Sequence, residues 1–362
     1  MISQNLNKMP RIIAFDILRV IMVILLIFFH CGVSFMRSSI SPEIWSYKNE
    51  TTSIVFDAIL GFIHTFRHPT FFIISGFVSE MMYKKYSATQ VFKKRFERLF
   101  IPFIIIVLLF SHLVHYLLNY LEFGLFEYQF ILDSSYVWFL YYLIFYSLIH
   151  FLYHKFFSIK KLFKHINLPL SLAATVIYLT TSLILFIWGE NSFFGVYDFL
   201  PQLGSLVGYF LFYVLGIYFF KNQTVFYTLK NQGWFYFSLG FTSLNIYFIL
   251  SVIELQNQAT TFDFNLWLML SYNFSAVFIS LGSIGLALKY YTQQTKIISY
   301  ISKSSYFLYL VHFPFTLLFL ILINATNWNV FTKFITVFCL TLLTSFILNA
   351  IWRKIWKYNP PI

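Results

Sequence analysis

Ten runs of about 20 apolar residues, parted by short polar stretches, constrain this chain more than any other feature. A helix of that length crosses a hydrocarbon core of roughly 30 Å, and within lipid a helix satisfies its own backbone. The runs fall near 12–36, 54–80, 100–120, 135–154, 168–188, 204–220, 233–253, 264–288, 304–323 and 330–352. The expected fold is an all-α polytopic membrane protein, with about ten transmembrane helices in one bundle. With 59% apolar and 10% charged residues, a large soluble core is excluded. The first run is too long for a signal-peptide core and ends in no small-residue cleavage site, so it is expected to be retained. Residues 1–362 are expected to form a single transmembrane domain with no appended soluble domain.

The charges between the runs alternate in sign. Lys8, Arg11, Lys84, Lys85, Lys93, Lys94, Arg95, Arg98, Lys155, Lys160, Lys161, Lys164, Lys221, Lys230, Lys289, Lys296, Lys303, Arg353, Lys354 and Lys357 fall on one side. Glu43, Glu50, Glu122, Glu127, Asp133, Glu190, Asp198, Glu254 and Asp263 fall on the other, with Arg37, Lys48 and Lys333. Because Lys and Arg are retained in the cytoplasm during insertion, both termini are expected there. The formal charge of +12 is then explained by insertion and by anionic membrane lipids, and no nucleic-acid partner is called for. Cys31 and Cys339 lie inside predicted spans and form no spaced framework. His112 and His115 lack a nearby Cys or carboxylate to complete a ligand set, so no metal is expected.

Ionisable groups at membrane depth are functional candidates because each costs a few kcal/mol unless it faces the bundle interior. Asp16, Arg19 and His30 share one face of the first run, since 11 and 14 helical steps nearly close whole turns. Arg19 and His30 are separated by a rise of roughly 16–17 Å, which puts one near the cytoplasmic entrance and the other in the outer half. On the second run His64, Arg67 and His68 share a face ahead of Pro69, which removes a backbone donor and opens the helix at that level. Ser75-Gly76 permits close backbone approach. The basic loop 81–99 ends in Arg95-x-x-Arg98, two forked donors suited to phosphate. His312 is expected near mid-membrane on the ninth run. Such groups serve equally to line the path of a secondary transporter or flippase for an anionic solute, although no inverted repeat supports that reading.

Four segments carry a resemblance: RIIAFDILR (11–19) with ten residues from Arg19 to His30; RHPTFFIISGF (67–77); Arg95-x-x-Arg98 before a Pro102-containing helix; and YLVHFP (309–314). Together they resemble the membrane acyltransferase-three family, whose members modify extracytoplasmic glycans with acyl groups from cytoplasmic CoA thioesters. WFLYY (138–142) and HTFR (64–67) are similar to the branch related to glucan biosynthesis protein C. The resemblance implies an enzyme of a bacterial cytoplasmic (inner) membrane. Its donor is acyl-CoA, acetyl-CoA ahead of succinyl-CoA, and its acceptor a hydroxyl of an extracytoplasmic glycan or glycolipid. It places Arg19 and His30 on one family motif and Arg95 and Arg98 on another. The catalytic set is then His30, acting as general base or transient acyl carrier, with Arg19, Asp16, Arg67 and His68. Arg95, Arg98, Ser75, Gly76 and His312 are expected to bind the donor.

Overall fold

The computed structural model describes residues 12–38, 45, 47–125, 134–156, 168–190, 201–257, 262–293 and 295–356. Among them are eleven α-helices and no strand: α1 Ile13–Gly32, α2 Ile54–Lys85, α3 Ala88–Ile105, α4 Ser111–Phe123, α5 Trp138–Phe156, α6 Leu170–Trp188, α7 Leu203–Lys221, α8 Val225–Asn257, α9 Phe262–Tyr290, α10 Lys296–Asn324 and α11 Val330–Trp356. A π turn over Ile106–Phe110 joins α3 and α4 into one rod. Eight rods among the described residues are long and apolar enough to cross a membrane. α2 and α5 fall short by composition. α2 carries Asp57, Arg67, Glu80, Lys84 and Lys85, and α5 is rich in Trp, Tyr and His, side chains that hydropathy scales count as polar. Of the charges expected to orient the chain, Lys8, Arg11, Glu43, Glu127, Asp133, Lys160, Lys161, Lys164, Asp198 and Lys357 lie outside the described residues.

The basic stretch 81–99, expected as a loop, is almost wholly helical. α2 continues to Lys85 and α3 begins at Ala88, leaving Tyr86 and Ser87 as the link. A capping box explains the restart: the Ser87 hydroxyl accepts from the Gln90 amide, and the Gln90 side chain accepts from the Ser87 amide. Pro69 likewise leaves α2 unbroken, so the expected opening of the helix does not occur. α10 starts eight residues before its apolar run because the Thr295 hydroxyl accepts from the Ile298 amide and caps it. α4 and α6 stop at Gly124 and Gly189, whose φ of 69° and 67° lie in the left-handed region.

Lipid offers no hydrophobic drive between helices, so close packing and hydrogen bonds hold the bundle. α2 packs on α1, α7 and α9, and α10 on α1, α4 and α11. Gly76 and Gly216 let the α2 and α7 backbones touch: a Cβ on Gly76 would overlap the Tyr213 carbonyl, and one on Gly216 the Ile73 carbonyl. α8 lies along α9 in the same way through Gly233, Gly240, Gly282 and Gly285. The close-approach reading of Gly76 thus has a physical partner in α7. One end of the bundle gathers the basic helix termini. There Arg353 of α11 donates to Ser304 of α10 at 3.1 Å, and Lys221 at the end of α7 lies 3.3 Å from Glu80 near the end of α2.

Candidate active site

At this basic end Asp16 is buried on the first turn of α1. Its carboxylate pairs with Arg19 at 3.6 Å and accepts from Ser302 of α10 at 3.4 Å. Arg95 of α3 turns inward, Nε donating to Ser147 of α5 at 2.9 Å and Nη2 to Ser75 of α2 at 3.2 Å. Arg98, one turn on, is exposed and holds its guanidinium 5.5 Å from the Tyr306 ring of α10. The two arginines therefore do not converge on one another. Ser75 joins Arg95, whereas its neighbour Gly76 faces α7.

Deeper in the bundle α1, α2 and α10 bring four imidazoles and a guanidinium together. The ring centroids of His30 and His312 lie 5.2 Å apart, and those of His64 and His68 5.8 Å. Arg67, 1% exposed, lies 4.5 Å above the Phe29 ring of α1. Its Nη2 donates to His68 Nε2 at 3.1 Å, while its Nε and Nη1 meet no hydrogen-bond acceptor. Among the described residues no carboxylate pairs with it. Trp138 and Tyr209 back His68 with centroids at 4.7 and 6.0 Å. His68 and His312 are buried, and His30 and His64 keep part of their surface accessible.

These contacts fix two tautomers. A guanidinium can only donate, so His68 accepts at Nε2 and carries its proton on Nδ1, which meets no partner. A carbonyl can only accept, so His312 donates from Nδ1 to Tyr309 O at 2.8 Å. Its Nε2, also without a partner, then presents a lone pair. His30 Nδ1 is a further buried nitrogen with no hydrogen bond. The group thus offers N–H donors from Arg67 and His68 and a lone pair on His312 Nε2, beside the unpaired Nδ1 of His30. Unsatisfied buried polar atoms cost about 1–3 kcal/mol each, so concentrating them here is expensive for folding alone.

Proline and tyrosine set the position of α10. Pro314 has no N–H for the Leu310 carbonyl, and Tyr136 donates to that carbonyl at 2.5 Å. Pro102 leaves the Arg98 carbonyl open in the same way, and Tyr306 fills it at 2.5 Å. Tyr136 also stacks on Phe313, centroids 4.7 Å apart, beside His312.

His64 stands in this group although it belongs to no expected site, and Glu80, His150 and His154, outside every expected site, form a second cluster. Glu80 Oε2 accepts from His150 Nε2 at 2.8 Å and His154 Nε2 at 2.9 Å. The two histidines stand four apart on α5, a spacing that puts both on one face, and that signal was available.

A family model described as an acyltransferase domain, that of the acyltransferase-three family, matches residues 12–350. The chain is 31% identical over 113 residues to the glucans biosynthesis protein C of Salmonella paratyphi B, Salmonella heidelberg and Salmonella dublin. That stretch is 31% of this chain and spans 28% of the length of each relative. No solved structure matches the chain.

Proposed function

Because this chain belongs to the integral-membrane acyltransferase-three family, we propose that it moves an acyl group from cytoplasmic acyl-CoA to a hydroxyl of an extracytoplasmic glycan or glycolipid. Acetyl-CoA is the expected donor and succinyl-CoA its competitor. The partial likeness to glucans biosynthesis protein C supports a glucan among the acceptors. The basic end then faces the cytoplasm at a bacterial inner membrane, with ten spans and both termini inside. Reporters fused after Lys94 should then read cytoplasmic and after Glu127 extracytoplasmic.

One observation carries the reading: a buried arginine with two guanidinium nitrogens lacking acceptors, placed among histidines with open nitrogens. Acyl transfer needs those elements. Arg95, held by Ser75 and Ser147, meets the donor's phosphates at the basic end, with Arg98 on the rim. Asp16 keeps Arg19 ordered at the same end. His30 takes the proton of the acceptor hydroxyl as its oxygen attacks the thioester carbonyl. His312, its tautomer fixed by the α10 backbone, offers a second lone pair 5.2 Å away, ring to ring. Arg67 and His68 donate to the oxygen that becomes negative in the tetrahedral intermediate. The C–S bond then breaks, and the proton from the hydroxyl ends on the sulfur of CoA.

The test is to incubate purified protein with labelled acetyl-CoA or succinyl-CoA and a glucan acceptor. Thioester turnover with label appearing on the glycan supports the reading. Solute uptake by proteoliposomes without turnover would replace it with the transporter reading.

A further inference from the structure

Away from the Arg67 and histidine group, α2, α5 and α7 converge on a second cluster that the transfer reaction does not use. Glu80 Oε2 faces His150 Nε2 and His154 Nε2, and the three atoms lie within 4.8 Å of one another. Both rings are held in place from behind. His150 Nδ1 is 3.0 Å from the Tyr213 hydroxyl, and the Tyr83 ring lies parallel to His154, centroids 4.0 Å apart and planes at 9°. The other Glu80 oxygen, Oε1, is 3.3 Å from Lys221 Nζ.

We propose that Glu80, His150 and His154 form a binding site for a first-row divalent transition-metal ion, of which zinc is the representative. Two imidazoles and one carboxylate are a donor set such ions take, with the remaining position open to water. A tetrahedral shell at 2.0–2.1 Å sets donors roughly 3.3 Å apart, so small rotamer shifts convert the present cluster. On binding, each neutral imidazole carries its proton on Nδ1 and gives its Nε2 lone pair to the metal. His150 Nδ1–H then donates to Tyr213, the outer hydrogen bond that metal-ligating histidines make. Lys221 is no ligand. Its ammonium neutralises Glu80 without the ion and opposes the ion when present, and at 27% side-chain exposure it has room to swing outward. The assignment differs from the expectation of no metal, which considered Cys31, Cys339, His112 and His115.

The cluster stands on geometry independent of the acyl-transfer reading, so its test needs no activity. Full-length protein with a non-histidine affinity tag is stripped with chelator, then titrated with zinc in excess magnesium. Calorimetry gives affinity, and elemental mass spectrometry the ion retained. Wild type should hold one zinc per chain. His154→Gln should weaken binding at least tenfold, and Tyr213→Phe by about tenfold. Lys221→Met should tighten it, roughly tenfold, because a like charge is removed. Cobalt should give ligand-field absorption that is lost in His154→Gln. If His154→Gln elutes as aggregate, the gain in Lys221→Met still decides. The proposal is overturned if the wild type retains no zinc, if a well-folded His154→Gln binds like wild type, or if Lys221→Met binds no more tightly.

Discussion

The group around Arg67 and the cluster around Glu80 are both largely buried, both rich in histidine and both built on α2, yet their hydrogen bonding is opposite. In the Arg67 group, Arg67 Nε and Nη1, His68 Nδ1, His312 Nε2 and His30 Nδ1 are left without partners. In the cluster, both Glu80 oxygens and both nitrogens of His150 are engaged. A fold gains nothing from open valences in low dielectric, whereas a reaction that develops charge needs them. The contrast separates a place where something is handled from a place that is complete, or that exchanges its hydrogen bonds for an ion.

The largest effect expected from this contrast is on chemistry. His30→Ala should lower acyl transfer by on the order of 10²–10⁴, and His30→Gln should do nearly as much because glutamine takes no proton near neutral pH. Glycan acylation near the wild-type level by a stably inserted His30→Gln would remove His30 from the reaction.

Stability should divide the two regions by sign. Arg67→Met relieves a buried cation with two unmet donors, so the variant should melt higher while transfer falls about 10²–10³. Glu80→Gln removes the negative charge that faces Lys221 and accepts from two imidazoles, and should cost about 3 kcal/mol. Thermal unfolding in one detergent checks both, and a shift of the same sign in both variants would erase the distinction.

Donor binding comes next. Arg95→Ala should weaken acyl-CoA affinity about tenfold in a salt-sensitive manner, with partial recovery in Arg95→Lys, which lacks the planar fork. Arg98→Ala should do less, since that guanidinium is exposed beside Tyr306. Equal losses at the two positions would mean that they share a phosphate after all. The smallest effect is at Tyr136→Phe, which exposes the Leu310 carbonyl and should cost about 1 kcal/mol in unfolding measurements.

Much of the candidate active site was legible because its members obey helical spacing within single runs. Asp16, Arg19 and His30 align on α1, and His64, Arg67 and His68 on α2. What could not be read was anything set by two helices far apart in sequence. Gly76 owes its place to a carbonyl on α7, and Arg95 owes its inward turn to hydroxyls on α2 and α5. The tautomer of His312 depends on its own backbone, but the position of that backbone depends on Tyr136. The Glu80 cluster joins positions 70 and more residues apart, and its acidic member sits amid lysines that were read only for topology. Helix limits erred where capping, not hydropathy, decides, as at Ala88 and Lys296.

The Gly76–Gly216 contact has an electrical consequence. It lies about two and a half turns beyond Arg67 and one turn before Glu80 along α2, between the Arg67 group and the basic end. With backbone pressed on backbone, the α2–α7 seam admits neither water nor an ion at that level. Any long, thin substrate arm rising from the basic end is therefore turned to the other flank of α2, where Ser75 and Arg95 stand. On the proposed function an acyl group is handed across a charged membrane without passing current, and the close-packed glycines would serve there as insulation.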